Sequence, residues 1–240
     1  MAQSQAFHFP ITTPIANDRV KLVPFDIDLH GAAFIAQSAS HPELYANMSF
    51  IPFTTVAELK AAFARPDTIL SSSNPESYIF AIIDKTRDRS PEDPEGELAG
   101  MVGYIHTLPA FFSSEVGAIV VLPKYQRSHV TSNAVGLLLQ HGFAPADEGG
   151  LGLVRIQWYC SAANTASAKV ADRMGFEKVG LIPYHMKFPL GKKYGKLGNG
   201  KPVPPGSHPD DVWRDSLYYS LSWDVWEAEA RDKVEKAISR

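Results

Sequence analysis

The stretch from Val120 to Leu139, VVLPKYQRSHVTSNAVGLLL, combines a buried strand, a short polar loop and a helix. Such a loop exposes free backbone N–H groups at a helix N-terminus, where these groups and the helix dipole favour a phosphate or pyrophosphate. Positive charge and hydroxyl donors would come from Arg127, Ser128, Thr131 and Ser132. A junction that binds nothing is the alternative, because many α/β proteins contain one.

A second polar pair, Asn164 and Ser167, stands at the start of a helix that extends to Met174. Gly175 follows at the position of a helix C-cap. Both polar residues suit a local role in capping the helix N-terminus. Because capping is compatible with a contact to a ligand, we expect both roles at Asn164.

Histidine and cysteine residues indicate no metal site. His106, His141 and His185 lack the spacing of metal ligands, so we interpret them as structural and expect no metal. Cys160 is the only cysteine, which excludes an intrachain disulfide and a cysteine-rich metal site. A reducing compartment fits this composition.

The composition is that of one globular domain. The chain has 240 residues, 45% of them hydrophobic and 20% charged, which suffices for a single core over 1–240. The net charge of -3 and the lack of a basic cluster argue against nucleic acid as a partner. We find neither a signal peptide nor a membrane span in the sequence, so we expect a cytoplasmic protein, with the nucleus as the alternative and no membrane partner.

The elements that must position these residues can be placed from hydrophobic periodicity. Strands are predicted over 19–25, 77–83, 98–108, 116–122, 153–159, 179–188 and 216–221, and the run VGAIVVL suggests that the fourth is central. Helices are predicted over 26–37, from the capping box Thr55-x-x-Glu58, from Thr131 and from Asn164. Ser222 is expected to cap a C-terminal helix over about 222–238.

The connection over about 189–212 is rich in glycine, proline and lysine. We interpret it as an extended hairpin loop that cannot form a packed core. Its lysines, from Lys192 to Lys201, would either attract acidic partners or form an ordinary solvated loop, and we favour the solvated loop.

Two of these motifs together resemble those of the GNAT acetyltransferases. Residues 121–134 resemble motif A, in which a strand with a Val-x-Pro step leads to a [QR]-x-x-G-x-[GA] pyrophosphate loop. Asn164-x-x-Ser167, followed by Arg173-Met174-Gly175-Phe176, resembles motif B. One helix and one strand separate the two motifs, as they do in the family.

The loop is most similar to that of the RimJ/RimL-type branch. Gln126 to Thr131 read QRSHVT, and the following helix ends with His141-Gly142-Phe143. The late segment Arg214-Asp215-Ser216, with Trp223 and Trp226 after it, also resembles that branch. Both glycines of the general loop pattern are replaced, by His129 and Thr131, and this removes some freedom to approach the phosphates.

The resemblance implies an α+β fold in which helices flank a mixed, mostly antiparallel, twisted sheet of about seven strands. The sheet would be splayed in the middle, and acetyl-CoA would enter the gap. The residues implied to bind this cosubstrate are Ile119, Val120, Val121 and Leu122 for the pantetheine arm, Arg127, Ser128, His129, Val130, Thr131 and Ser132 for the pyrophosphate, and Asn164 and Ser167 from the other side.

The chemistry implied is transfer of an acetyl group to an amine, whose proton must be accepted. Glu115 is the expected base, and a solvated strand-edge carboxylate is its alternative. The tyrosine that many GNAT enzymes use to protonate the thiolate is replaced here by Ala171, so Ser167 is the expected proton donor. The amine substrate would contact Tyr104, His106 and Phe111, on a face lined also by Phe112, the early helices and the late hairpin.

The sequence therefore predicts an acetyl-CoA-dependent N-acetyltransferase. Its acceptor would be a small-molecule amine or a polypeptide N-terminus, acetylated by direct transfer in a ternary complex. A non-catalytic acyl-CoA-binding or interaction module is the alternative, suggested by the missing tyrosine. Exposed aromatic residues near the C-terminal helix would permit a homodimer.

Overall fold

A computed structural model describes residues 6–12, 14–192 and 198–239. The eight strands form one continuous sheet in the order β1-β2-β3-β4-β5-β6-β8-β7. They are β1 (Ile15–Ala16), β2 (Val20–Pro24), β3 (Tyr78–Asp84), β4 (Glu97–Leu108), β5 (Ser113–Val121), β6 (Arg155–Ser161), β7 (Glu177–Lys187) and β8 (Trp213–Ser222). All neighbouring strands are antiparallel except β5 and β6. The predicted mixed sheet is confirmed, and the eighth strand is the two-residue β1.

The sheet opens between β5 and β6. These strands pair only through residues 113–115 and 155–157, after which β6 remains paired with β8 and diverges from β5. Residues 116–121 of β5 therefore keep β4 on one side and have no strand on the other. Ala118, with φ 52°, lies at an irregularity in the β4–β5 register. The predicted splay is thus present, and it leaves a length of backbone edge for another partner.

The helices pack on the sheet and begin mostly where their capping residues predict. They are α1 (Ile27–Ser38), α2 (Val56–Ala64), α3 (Val130–Phe143), α4 (Thr165–Arg173), α5 (Trp223–Val225) and α6 (Arg231–Ile238), and a π-helical turn, Trp226–Ala230, joins the last two. Thr55 and Glu58 form both hydrogen bonds of the capping box at α2. Ser222 occupies the N-cap position of α5, but its side chain caps no backbone amide there, so that detail of the prediction was wrong.

The α3 helix carries the largest buried helical surface and links the sheet to α6. Eleven of its side-chain positions are buried, because one side covers the sheet and the other is covered by α6. A Cβ atom at Gly136 would lie 2.5 Å from Ile238 Cγ2, so glycine allows α6 to approach closely. Within the described residues, no helix is long and apolar enough to cross a membrane.

The connection between β7 and β8 is not a solvated loop where it leaves β7. Lys192 is fully buried, and its ammonium group donates to the carbonyls of Tyr45 (2.7 Å) and Met48 and lies 4.6 Å from the centre of the Phe188 ring. Lys201 forms an ion pair with Asp215 at 2.6 Å. The prediction of a solvated lysine-rich loop was therefore wrong for Lys192, whereas Lys201 is exposed as predicted; residues 193–197 lie outside the described residues. Lys192 instead fixes the chain around Tyr45 to this connection.

Candidate functional site

A cavity of about 780 Å³ occupies the gap between β5 and β6. Eight of the residues predicted for the site line it: His106, Glu115, Ile119, Val120, Val121, Thr131, Asn164 and Ser167. Its walls come from the open edge of β5, the C-terminal half of β6, the start of α4, residues 43–50 and the β7–β8 hairpin. The two motifs that are separated in sequence thus meet in one cavity.

One half of the cavity is formed by the β5–α3 junction. Gln126 Nε2 donates to the carbonyl of Val121 at 3.1 Å, and the hydroxyl of Ser128 donates to the carbonyl of Tyr125, so the loop folds back on the end of β5. Arg127 adopts the left-handed conformation, with φ 57°. The side chain of His129 forms no cap at α3, and within the described residues only the amide of Val130, among the first amides of this helix, has a side-chain acceptor, Ser128 Oγ at 3.3 Å. The backbone amide of Thr131 is left for another acceptor. This half therefore presents backbone donors at a helix N-terminus.

Other residues predicted in this half contribute to the core rather than to the cavity wall. Leu122 and Val130 are fully buried, and Ser132 is nearly so. His129 Nε2 lies 3.1 Å from Asp84 Oδ1, and both side chains are largely buried. The imidazole therefore points into the protein, and only the backbone at position 129 faces the loop.

On the α4 side of the cavity, Asn164 caps the helix, and both Asn164 and Ser167 line the gap. Asn164 Oδ1 accepts the backbone N–H of Ser167 at 3.1 Å, so the capping role is present in the structure. Ser167 Oγ accepts the indole N–H of Trp158 at 3.0 Å. Ala171 is fully buried, and its position in the helix faces the core instead of the cavity.

The most polar feature of the cavity is a hydrogen-bonded pair, Glu115 and His106. His106 Nδ1 lies 2.8 Å from Glu115 Oε2. Glu115 is 7% exposed, so it is not the solvated strand-edge carboxylate of the alternative interpretation. Burial raises the pKa of Glu115, and the hydrogen bond that His106 makes to this carboxylate raises the pKa of His106 above 6.5.

An irregularity in β4 brings His106 to this face of the sheet. Ile105 pairs with Glu115, but the register then shifts before Leu108, and His106 has φ 48°. In a regular strand, residues 104 and 106 would face the same side. The shift turns His106 toward Glu115, whereas Tyr104 remains on the α3 side, fully buried, with its hydroxyl donating to the Leu138 carbonyl at 2.5 Å.

Tyr104 and Phe111 do not lie where a substrate contact was predicted. Neither residue lines the cavity. Phe111 is 64% exposed in the turn between β4 and β5, next to Phe112, which is also exposed. Of the three residues predicted to contact the substrate, His106 alone lines the cavity.

The sequence predicted that the early helices and the late hairpin line the cavity on the Glu115 side, but it did not identify the residues that do so. Residues 43–50, Gln157, Tyr159, His185 and Arg214 line the cavity there. Tyr159 stacks on Tyr218 and His185 at 4.7 and 5.1 Å, and burial raises its pKa to about 12. Alternation along β6 and β8 was the available signal, because it separates Tyr159 and Tyr218 from the core-facing residues beside them.

Comparison with known proteins agrees with this geometry. The family described as "Acetyltransferase (GNAT) domain" matches residues 19–177. No curated protein matches the chain. A GCN5-related N-acetyltransferase from Brucella melitensis has 24% sequence identity and a TM-score of 0.70, and the match covers 95% of this chain and 86% of that one.

Two other solved structures contain CoA. RimJ from Mycobacterium smegmatis, in complex with CoA-disulfide, is 18% identical with a TM-score of 0.63, and the match covers 94% of this chain and 97% of that one. Spermidine N-acetyltransferase from Vibrio cholerae, in complex with CoA and spermine, is 14% identical with a TM-score of 0.58, over 88% of this chain and 99% of that one. These identities show a shared fold. With the match to more than half of its sequence, the chain belongs to the GNAT acetyltransferase family.

Proposed function

We propose that this protein transfers an acetyl group from acetyl-CoA to a primary amine by direct attack in a ternary complex. The observation that carries the proposal is the buried Glu115–His106 pair, which lies in the same cavity as the open edge of β5 and the first turn of α3. A proton acceptor and a phosphate-type site thus share one space. The QRSHVT loop supports a place in the RimJ/RimL-type branch.

The residues of the β5–α3 half fit acetyl-CoA. The edge at residues 119–121 offers backbone groups to the amides of a pantetheine arm, and the first turn of α3 offers N–H donors and a positive dipole to a pyrophosphate. Arg127 adds charge beside that turn, and Asn164 faces the gap from α4. Acetyl-CoA supplies a thioester, whose C–S bond breaks as the new C–N bond forms.

Glu115 and His106 accept the proton of the acceptor ammonium. The Glu115 carboxylate accepts the Nδ1–H of His106, which leaves Nε2 of the neutral imidazole as the proton acceptor. The His106 side chain is 54% exposed, so Nε2 is accessible from the cavity, whereas the buried carboxylate fixes the tautomer and stabilises the imidazolium. We therefore assign the base to His106 and a positioning role to Glu115, which the sequence alone had nominated as the base.

A hydroxyl close to the gap would protonate the departing thiolate. Ser167 keeps this role in the proposal, because its oxygen accepts the Trp158 indole N–H and its hydroxyl lines the cavity. Tyr159 is the alternative donor in the lining, and its raised pKa keeps it protonated at neutral pH. Ser167→Ala and Tyr159→Phe distinguish the two candidates, because only the substitution that removes the proton donor should slow transfer to a poorly nucleophilic amine.

A turnover assay tests the proposal. Purified protein is incubated with acetyl-CoA and a panel of primary amines, and the release of CoA thiol is followed with and without each amine. We expect amine-dependent release that the His106→Ala variant loses. Tight acetyl-CoA binding with no release across the panel would instead support the non-catalytic acyl-CoA-binding module.

A further inference from the structure

Arg214 is a buried cation in the half of the cavity that contains Glu115 and His106, which we call the acceptor half. It is 7% exposed and is the only lysine or arginine among the described residues that line the cavity. Ser161 pairs with Ser216 and Tyr159 with Tyr218, so alternation along β8 places Arg214 on the same face of the sheet as Tyr159. This face also carries the wall formed by residues 43–50, which Arg214 contacts at Asn47.

Most of the hydrogen-bonding capacity of Arg214 is unused. Its Nε–H donates to Ser216 Oγ at 2.9 Å, and one Nη1–H donates to the Asn47 carbonyl at 3.0 Å. A guanidinium group has five N–H donors, so three lack a partner among the described residues. Both existing partners are neutral oxygens.

No carboxylate of the described residues forms an ion pair with Arg214. The two acidic residues of the cavity lining have other hydrogen-bond partners, His106 for Glu115 and His41 for Glu43, so the charge of Glu115 acts on Arg214 only through space. A buried cation without an anionic partner is unfavourable unless another group supplies the charge. The Arg214 guanidinium, with three donors left over, therefore matches a planar anion that enters the cavity.

A second unsatisfied atom lies in the same wall. Asn47 lines the cavity, and its side-chain Oδ1 is buried without a partner in the described structure. The backbone carbonyl of this residue accepts from Arg214, so the free amide oxygen and the free guanidinium donors belong to neighbouring groups. The amide oxygen is an acceptor and matches a hydrogen-bond donor of a ligand, whereas the guanidinium donors match its anionic group.

We propose that Arg214 forms a carboxylate-binding subsite and that the acceptor is a small amine bearing a carboxylate. This inference rests on the proposed acetyl transfer. The amine lies at the Glu115–His106 pair, which carries the negative charge of the cavity, and the carboxylate lies at Arg214. The two charged groups of the acceptor thus meet opposite charges within the same half of the cavity.

A structural role for Arg214 is the competing explanation. Its two existing hydrogen bonds attach residues 43–50 to β8, and this alone would make the side chain necessary for a well-ordered wall. That role predicts equal losses for every acceptor. A carboxylate subsite predicts losses that depend on the acceptor's charge.

Matched acceptors separate these explanations. Amino acids and their carboxamides, which differ only in the anionic group, are compared at saturating acetyl-CoA with wild type, Arg214→Gln and Arg214→Lys. We expect wild type to favour the carboxylate roughly 10- to 100-fold in kcat/KM, mostly through KM, because a hydrogen bond to a charged group has this magnitude. Arg214→Gln should remove the preference while carboxamide kinetics change little, and Arg214→Lys should restore part of it.

A binding measurement keeps the subsite testable if no amine is turned over, an outcome that would refute the proposed transfer itself. Calorimetry with CoA-saturated protein should show tighter binding of the carboxylate than of its carboxamide, and Arg214→Gln should abolish the difference. Equal wild-type affinities for the two, or a difference that survives Arg214→Gln, would overturn the subsite. A thermal melt of each variant shows that it is folded.

Discussion

The two halves of the cavity are built in different ways. The half proposed to hold acetyl-CoA, the cofactor half, takes five positions from one short stretch, residues 119–121, Gln126 and Thr131, with Asn164 and Ser167 added from α4. The acceptor half is assembled from distant pieces: Arg214 bonds a residue 167 positions away, and Lys192 bonds one 147 positions away. The first half relies on backbone groups at strand and helix ends, whereas the second relies on buried charged side chains.

This difference indicates what each half can change. Backbone donors come with the fold and bind the same cofactor whichever side chains surround them. Buried charges have to be matched by partners, so a substitution in the acceptor half alters which molecule fits. We therefore expect changes in the cofactor half to alter affinity for acetyl-CoA, and changes in the acceptor half to alter turnover and acceptor choice.

The largest effect is expected from His106→Ala. Removal of the proton acceptor should lower kcat by roughly 10²- to 10⁴-fold, because this is the usual contribution of general base catalysis. Acetyl-CoA affinity, measured by calorimetry, should stay within about twofold of wild type. His208→Ala, which removes an exposed histidine outside the cavity, is the matched control. An equal loss of cofactor binding in His106→Ala would show that the two halves are not separable.

Lys192→Met should loosen the wall around Tyr45 without reaching the cofactor. The substitution leaves two buried carbonyls without their donor, which costs about 1–3 kcal/mol of unfolding free energy. The acceptor KM should rise and the acetyl-CoA KM should not. Lys201→Met removes a lysine of the same connection that pairs with Asp215 outside the cavity, and it should leave both KM values unchanged. A selective rise in the acetyl-CoA KM would argue against the proposed division.

Asn164→Ala tests the cofactor half with a smaller change. Loss of the cap at α4 should cost about 1 kcal/mol of stability and should also weaken acetyl-CoA binding, since Asn164 faces the gap. Thr55→Ala removes the cap of α2, away from the cavity, at a similar cost in stability. Calorimetric titration should show weaker binding only for Asn164→Ala. Equal affinities in the two variants would reduce Asn164 to a structural cap.

The smallest effect is a displacement of the pH profile. The pKa of His106 is raised by its hydrogen bond to Glu115, so the acidic limb of the kcat/KM profile should have its midpoint above pH 6.5. Only the neutral imidazole accepts a proton, and activity should therefore be gained as the pH rises through this value. Glu115→Gln removes the charge that stabilises the imidazolium and should move the limb to lower pH. A limb that does not move would exclude His106 as the titrating base.

Local sequence patterns predicted the β5–α3 junction and the start of α2 well, but they did not predict that Leu122 and Val130 lie in the core. The Thr55 capping box and the β5–α3 junction are contained within a few consecutive residues. Each is determined by interactions between near neighbours, such as a side-chain cap or the end of an apolar run. These patterns also predicted the sheet and its splay through the resemblance to the family.

The acceptor half could not be predicted in this way. A shift in register turned His106 toward Glu115 and left Tyr104 on the opposite face, and strand alternation alone assigns both residues to one face. Lys192 lies in a stretch whose composition is typical of a solvated loop, yet the side chain is buried and donates to carbonyls that are distant in the sequence. Arg214 lies in the cavity wall because it contacts Asn47, a residue that is distant in the sequence. Contacts of this range are set by the tertiary fold.

The central claim is that one cavity holds acetyl-CoA in a half that is independent of the acceptor machinery. Calorimetric titration of acetyl-CoA into wild type, His106→Ala and Asn164→Ala tests it directly. We predict one-to-one binding that is unchanged in His106→Ala and weaker in Asn164→Ala. No binding by the wild-type protein, or weakening by His106→Ala with none by Asn164→Ala, would contradict the account.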